Sequence, residues 1–338
     1  MLRNALSDVR ELRVGHAEDD SRTGVTVVTA NRSFTCGVDV RGAAPGTRET
    51  DLLDPRATVD QVHAIVLSGG SAWGRAAADG VMEVLRDRGV GFAVGDLRVP
   101  IVPSAILFDL NVGTKPWARV GGGEAPHRTL GHRAVERALE ASDHRIGTVG
   151  AGTGCTTADA SGGLGMASAE VDGVGIVAAL VAVNAVGSAL ADGGPRFLAA
   201  PWLRPGDGWS DGGVGRITGT RTKLGVMPGT ATTIGVVATD LALDKAGCAR
   251  LAAHGQDGYA RALAPVHTAL DGDLVFGVST GEGDVCRDPL ALAALGEAAT
   301  RCMARAIARG VHAATPHPDD PPERAAWRAR FPDLWETA

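Results

Sequence analysis

The sequence predicts a mixed α/β protein. Three observations lead there. Short β-rich runs alternate with stretches whose apolar residues recur at helical spacing. Hydrophobic residues make up 44% and charged residues 21% of the 338 positions, a globular rather than a disordered composition. Glycine, 47 residues and about twice its usual share, punctuates the runs without any Gly-X-Y period. A chain of this length forms two domain-sized units or one large layered domain with an ample core.

Residues 24–30, 34–40, 64–67 and 91–94 read as strands set between glycine turns. Residues 71–86 read as a helix, because Ala76, Ala77, Val81 and Leu85 fall on one face. A glycine-rich entry leads into a helix over 130–141, and 146–153 then reads as a strand. The most apolar stretch, 174–190, is short, carries Gly175, Asn184 and Gly187, and lacks basic flanks. It reads as a buried strand or core helix rather than a membrane span. Residues 191–229 contain four prolines and many glycines with little periodicity, which predicts a long surface loop. Order returns abruptly at the β-rich run 232–239. A helix over 245–262, a strand over 274–279 and a helix over 290–309 follow. From 314 the chain is rich in Pro, Asp and Arg and is expected to be a loosely docked arm, 314–338, behind a single domain, 1–313.

Composition excludes several functions. A net charge of −6 and 4% aromatic residues disfavour a nucleic-acid partner. The five cysteines (Cys36, Cys155, Cys248, Cys286 and Cys302) are odd in number, widely spaced and without a CxxC. Neither a disulfide framework nor a zinc site is expected, and a reduced cytoplasm fits. The opening residues hold no apolar signal-peptide core, and no membrane partner is expected. There is no GxxxxGK[ST] and no HExxH. The run 150–154 mimics a dinucleotide fingerprint but has Cys155 where the third glycine belongs, so close backbone packing is the better reading. Residues 69–74 do not match a nucleophile elbow around Ser71. No cofactor or metal is therefore expected. Only Lys115, Lys223 and Lys245 are lysines among 33 Lys and Arg residues.

The junction at 231/232 carries the most chemistry. A Thr at the start of a strand, after a long loop, suits an N-terminal nucleophile. If the 231–232 bond is cut, Thr232 gains an α-amine of ordinary pKa about 7.7–8.0, which serves as base for its own hydroxyl. Thr232 and Thr233 are otherwise ordinary β-branched strand residues. Asp271 and Asp273 flank Gly272 just before a strand. They could face one pocket and hold an amine, or form a solvated turn. Asn184, inside an apolar run, needs hydrogen-bond partners. It either donates to an oxyanion or ties two backbones together. His267, beside the Asp pair, reads more readily as structural than as catalytic.

Several blocks, in order, resemble one known family. They are Arg41-Gly42-Ala43-Ala44-Pro45-Gly46-Thr47-Arg48-Glu49-Thr50-Asp51-Leu52-Leu53, Leu67-Ser68-Gly69-Gly70-Ser71-Ala72 and Gly150-Ala151-Gly152-Thr153-Gly154. Gly162-Gly163-Leu164-Gly165, Val183-Asn184-Ala185, Thr232-Thr233-Ile234-Gly235-Val236-Val237-Ala238 and His267-Thr268-Ala269-Leu270-Asp271-Gly272-Asp273 complete the set. The chain from about 7 to 311 resembles the L-aminopeptidase/D-esterase family, which includes β-peptidyl aminopeptidases and nylon-oligomer hydrolases. The resemblance implies a four-layer αββα sandwich like that of N-terminal-nucleophile hydrolases. It implies self-cleavage between Ala231 and Thr232 into 1–231 and 232–338, and assembly into a homo-oligomer, a tetramer or larger. It implies Thr232 as nucleophile and α-amine base, Asn184 in the oxyanion hole, and Asp271 and Asp273 orienting the amine and binding the charged end of the substrate. The implied substrate is a small amide or the N-terminal residue of a short peptide.

Three positions depart from the family pattern. Ala231 stands where Asn usually precedes the nucleophile. Ser161 stands where relatives carry Lys before the GG[LIV]G motif, with no nearby lysine in sequence to replace it. Trp73 stands for a tyrosine. Trp73 and Ser161 are expected at the substrate pocket. These departures leave an unprocessed scaffold of weak activity as an alternative; a related acyltransferase using an amine acceptor is another, since the same acyl-enzyme serves water or an amine.

Overall fold

The computed structural model describes residues 2–213, 215–223 and 231–335. Parts of the segment 191–229 and of the arm 314–338 lie outside them. The strands are β1 (Leu12–Asp19), β2 (Thr23–Val40), β3 (Thr47–Arg48), β4 (Gln61–Ser68), β5 (Phe92–Val94), β6 (Leu97–Val99), β7 (Ser104–Ile106), β8 (Gly163–Val171), β9 (Gly175–Val183), β10 (Ile234–Thr239) and β11 (Leu274–Ser279). The helices that cover them are α1 (Ala77–Asp87), α2 (His127–Glu140), α3 (Lys245–Ala262) and α4 (Pro289–His312).

Nine strands run in the order β3-β7-β4-β2-β11-β10-β9-β8, with β1 added to β2; β5 and β6 form a separate hairpin. The long strand β2 is the hinge of the fold. Its first part pairs with β1 and β4, its register shifts between Thr29 and Phe34, and from Thr35 it pairs with β11. A bulge of this kind bends a strand and raises its twist. The two halves of the sheet therefore face one another across a shared core. Ile65 and Leu67 of β4 meet Leu180, Val236 and Phe276 of β9, β10 and β11 there. On the outer faces, α1 and α2 pack on β1, β2 and β4. Helices α3 and α4 cover β8, β9 and β11. Three apolar interfaces separate four layers, an αββα sandwich.

Side-chain alternation explains why 174–190 reads as uniformly apolar. Val177, Ala179, Val181 and Val183 of β9 point to the helices, and Ala178, Leu180 and Ala182 point to the other half-sheet. A strand buried on both faces loses the apolar–polar alternation of a half-exposed one. Helix starts are equally local. Asp244 accepts from Gly247 N at 2.8 Å at the head of α3, and Asp288 accepts from Leu290 N at 3.0 Å ahead of Pro289 in α4. Each such cap is worth about 0.5–2 kcal/mol.

Besides adding the strands β1, β3, β6 and β7, the structure differs from the sequence reading in five places. Runs 24–30 and 34–40 are one strand, β2. The helix expected from 71 opens as a 3₁₀ turn, Ser71–Ala76, before α1. Residues 146–153 are not a strand: Gly147 and Gly150 have positive φ, and a 3₁₀ turn covers Gly150–Gly152. β8 is an additional strand, built from small residues of low β propensity. Helix α4 selects it, because a Cβ on Gly165 would lie 1.8 Å from the Ala306 carbonyl oxygen.

The arm is the fifth difference, for it is firmly docked. Trp327 is fully buried among Phe197, Trp209 and His312, and its Nε1 donates to Pro195 O at 3.0 Å. Arg330 donates to Gly193 O at 2.9 Å. Trp327→Ala is expected to cost about 3–5 kcal/mol. A urea unfolding midpoint unchanged from the native protein would contradict that anchoring.

Candidate active site

Strand register brings the expected residues together. β10 runs parallel to β11 with Ile234 opposite Leu274, so the residues before each strand also lie side by side. An isolated bridge, Ala231 to Asp271, continues that pairing. β10 runs antiparallel to β9 with Ile234 opposite Ala182, which sets Thr232 opposite Asn184. Thr232, Asn184, Asp271 and Asp273 thus meet at one end of three neighbouring strands.

Thr232 is buried, and its backbone N–H donates to Asn184 O at 2.8 Å. Its hydroxyl donates to the carbonyl oxygen of Ala231. A Cβ on Gly272 would lie 2.7 Å from Thr232 Oγ1 and 2.6 Å from Ala44 O, so only glycine lets the turn approach the hydroxyl this closely. The two carboxylates act through the backbone. Asp273 accepts from Thr233 N at 2.7 Å and from both His267 N (3.2 Å) and His267 Nδ1 (2.9 Å). Asp271 accepts from Val186 N at 3.1 Å and from Thr268 N and Oγ1 at 2.9 and 2.7 Å. Burial, and then the neighbouring charge of Asp273, push Asp271 above the ordinary carboxylate range.

Asn184 has partners on both ends of its amide. Oδ1 accepts from Thr156 N and Lys223 Nζ, each at 3.0 Å, and Nδ2 donates to Phe108 O at 2.9 Å. An amide NH₂ has two hydrogens, and among the described residues one is left for a further acceptor. The Phe108 segment is braced by Asp109, which accepts from Gly70 N at 2.8 Å and Thr23 Oγ1 at 2.7 Å. Gly70 has φ +85°, and a Cβ there would meet the His127 ring at 2.0 Å. The Leu67–Ala72 block therefore shapes the wall behind Asn184.

The two residues expected at the pocket have these surroundings. Trp73 is 45% exposed and stacks edge-on against Trp117 at 5.9 Å. Ser161 is buried, and its hydroxyl donates to Arg324 O at 3.0 Å and Asp320 Oδ2 at 3.4 Å, on the docked arm. Ser161 is, however, bridged to Thr156, a partner of Asn184. Sequence reasoning missed Lys223. It also held that no lysine stands in for the one absent at 161, whereas Lys223 enters from the end of the long loop and reaches Asn184. Nothing in linear spacing signals this; the scarcity of lysine was the one available hint.

A model of peptidase family S58 matches residues 4–320. The chain belongs to peptidase family S58. It is 38% identical over 345 residues to an uncharacterized aminopeptidase of Mycobacterium leprae, covering 92% of this chain and 91% of that one. It is 25% identical over 298 residues to a 6-aminohexanoate-oligomer endohydrolase of a Kocuria species, covering 83% and 76%. Its fold matches a Burkholderia β-aminopeptidase with TM-score 0.69 at 20% identity, over 99% of this chain and 94% of that one. It also matches the L-aminopeptidase D-Ala-esterase/amidase of Ochrobactrum anthropi, described as a variant of the Ntn-hydrolase fold, with TM-score 0.66 at 19% identity over 98% and 95%. The S58 chain thus has the fold class its sequence blocks implied. Among its described residues, no helix is long and apolar enough to cross a membrane.

Proposed function

We propose that this S58 peptidase is a self-processing amidohydrolase whose nucleophile is Thr232. One observation carries the reading: the buried Thr232 hydroxyl lies on the Ala231 carbonyl while its backbone nitrogen is held by Asn184 O. In self-cleavage, Oγ1 attacks the carbonyl carbon of residue 231 and its proton passes to the departing nitrogen. The C–N bond breaks to leave an ester and a free amine on Thr232; water then hydrolyses the ester to a carboxylate at Ala231 and restores the Thr232 hydroxyl. That attack uses the main chain of residue 231, so an Ala231 side chain is compatible with it.

Turnover repeats the chemistry on an external amide. The α-amine takes the Oγ1 proton as Oγ1 attacks the substrate carbonyl carbon, and the free Nδ2 hydrogen of Asn184 stabilises the oxyanion. The protonated amine donates to the leaving nitrogen. Water, deprotonated by the same amine, then releases the acyl group. Asp271 and Asp273 hold the strand ends and supply negative charge beside the amine. The names of the M. leprae and Kocuria relatives support N-terminal residues of short peptides and small amides as substrates. A cytoplasmic homo-oligomer is proposed on the family resemblance. The exposed Phe92 and Leu97 of the β5–β6 hairpin support such an assembly.

Mass spectrometry tests the reading. Denatured protein is expected to give two pieces split at Ala231/Thr232, and native spectra of the same sample a multiple of their sum. One intact mass after long incubation would sink the N-terminal nucleophile.

A further inference from the structure

Lys223 is buried, and among the described residues its ammonium donates to four oxygens, none of them a carboxylate. They are Thr156 O at 2.9 Å, Thr156 Oγ1 at 3.2 Å, Asn184 Oδ1 at 3.0 Å and Asn184 O at 3.3 Å. Its backbone N–H donates to Val186 O at 3.1 Å, which anchors the stem. Two of these contacts bear on chemistry. An ammonium only donates, so the Asn184 amide atom turned towards it must be the oxygen, and Nδ2 is directed away. The Asn184 main-chain oxygen is the same atom that accepts from Thr232 N at 2.8 Å.

We propose that Lys223 is a positioning residue for the reaction: it locks the Asn184 amide with one Nδ2 hydrogen free, and its charge keeps the Thr232 α-amine in the free-base form. This rests on Thr232 being the nucleophile. Two ammonium groups on one buried carbonyl oxygen repel, so the pair holds a single proton across neutral pH. Burial pulls Lys223 down to about 7, near the α-amine's ordinary range. The charges facing it are Asp271 and Asp273, which favour its protonated form, and Arg324 on the arm, which opposes it. The Cys155 thiol also faces it but is neutral, because burial raises its pKa. His267 faces Asp273 rather than Lys223.

Removing the cation lets the amine hold its proton to higher pH, so the acid limb of the kcat/KM profile moves up. Lys223→Met is expected to shift that limb by about one pH unit. It is also expected to lower kcat by about 10²-fold through the loosened Asn184, with KM changed little. Lys223→Arg keeps the charge and is expected to keep the limb in place. The scarcity of lysine permits a direct check on the native protein. Labelling lysine Cε with ¹³C gives three signals, and the one absent in Lys223→Arg should titrate near neutrality. A folded Lys223→Met enzyme with native limb and native kcat would overturn the proposal. So would a Lys223 signal that is already neutral below the acid limb, since an uncharged Lys223 cannot hold the amine in its free-base form; this decides the matter if the Met variant fails to fold. If mass spectra show cleavage while these shifts are absent, the Lys223 role falls and the Thr232 reading stands. An uncut native chain removes the Thr232 reading itself.

Discussion

Thr232→Ala is expected to leave one uncut chain with no amide turnover. The substitution removes two functions together. Without Oγ1 there is no atom to attack the residue 231 carbonyl, so the bond persists and no α-amine base is generated. The amine and hydroxyl act as a unit, and loss of such a unit in a hydrolase lowers kcat by on the order of 10⁶-fold. Stability should change little by comparison. Alanine keeps the backbone N–H to Asn184 O and the bridge between Ala231 and Asp271. Denaturing mass spectrometry and a chromogenic amide assay on one preparation read both effects. Cleavage at the same bond in this variant would assign the nucleophile to another residue.

Asn184→Ala is the second large effect, and it is expected to act mainly on kcat. Removing one oxyanion donor costs about 10²–10³-fold in kcat. The substitution also strips Oδ1 from Lys223 and from Thr156 N, and Nδ2 from Phe108 O, all within the buried site. Leaving buried polar groups unpaired costs about 1–3 kcal/mol each, so the melting temperature should fall as well. Slower self-cleavage is expected for the same reason as slower turnover, since both pass through an oxyanion. A variant that turns over normally would reduce Asn184 to a tie between backbones, the other role its buried position allows.

The elements legible from sequence were those whose signals are local. Helix α3 and strand β11 lie where periodicity and β-branched runs put them, with Asp244 and Asp288 marking the starts of α3 and α4. β8 was hidden, because its Gly, Ala and Ser residues lack strand propensity and acquire it only by fitting against α4. The arm was misjudged for a related reason. Its composition is polar, and the buried side chain that anchors it, Trp327, finds its pocket among residues from far earlier in the chain.

By itself the sequence determined the family, the αββα layering that goes with it, and the identities of Thr232, Asn184, Asp271 and Asp273 as the residues to watch. Tertiary structure decided how they are wired. Register between β9, β10 and β11 places Thr232 beside Asn184 and the Asp271–Asp273 turn. The fold turns Ser161 towards the arm, and brings Lys223 to the Asn184 amide. Register and long-range burial are sums over contacts between distant segments. A linear pattern can name the residues that make those contacts but not which oxygen a buried lysine will find.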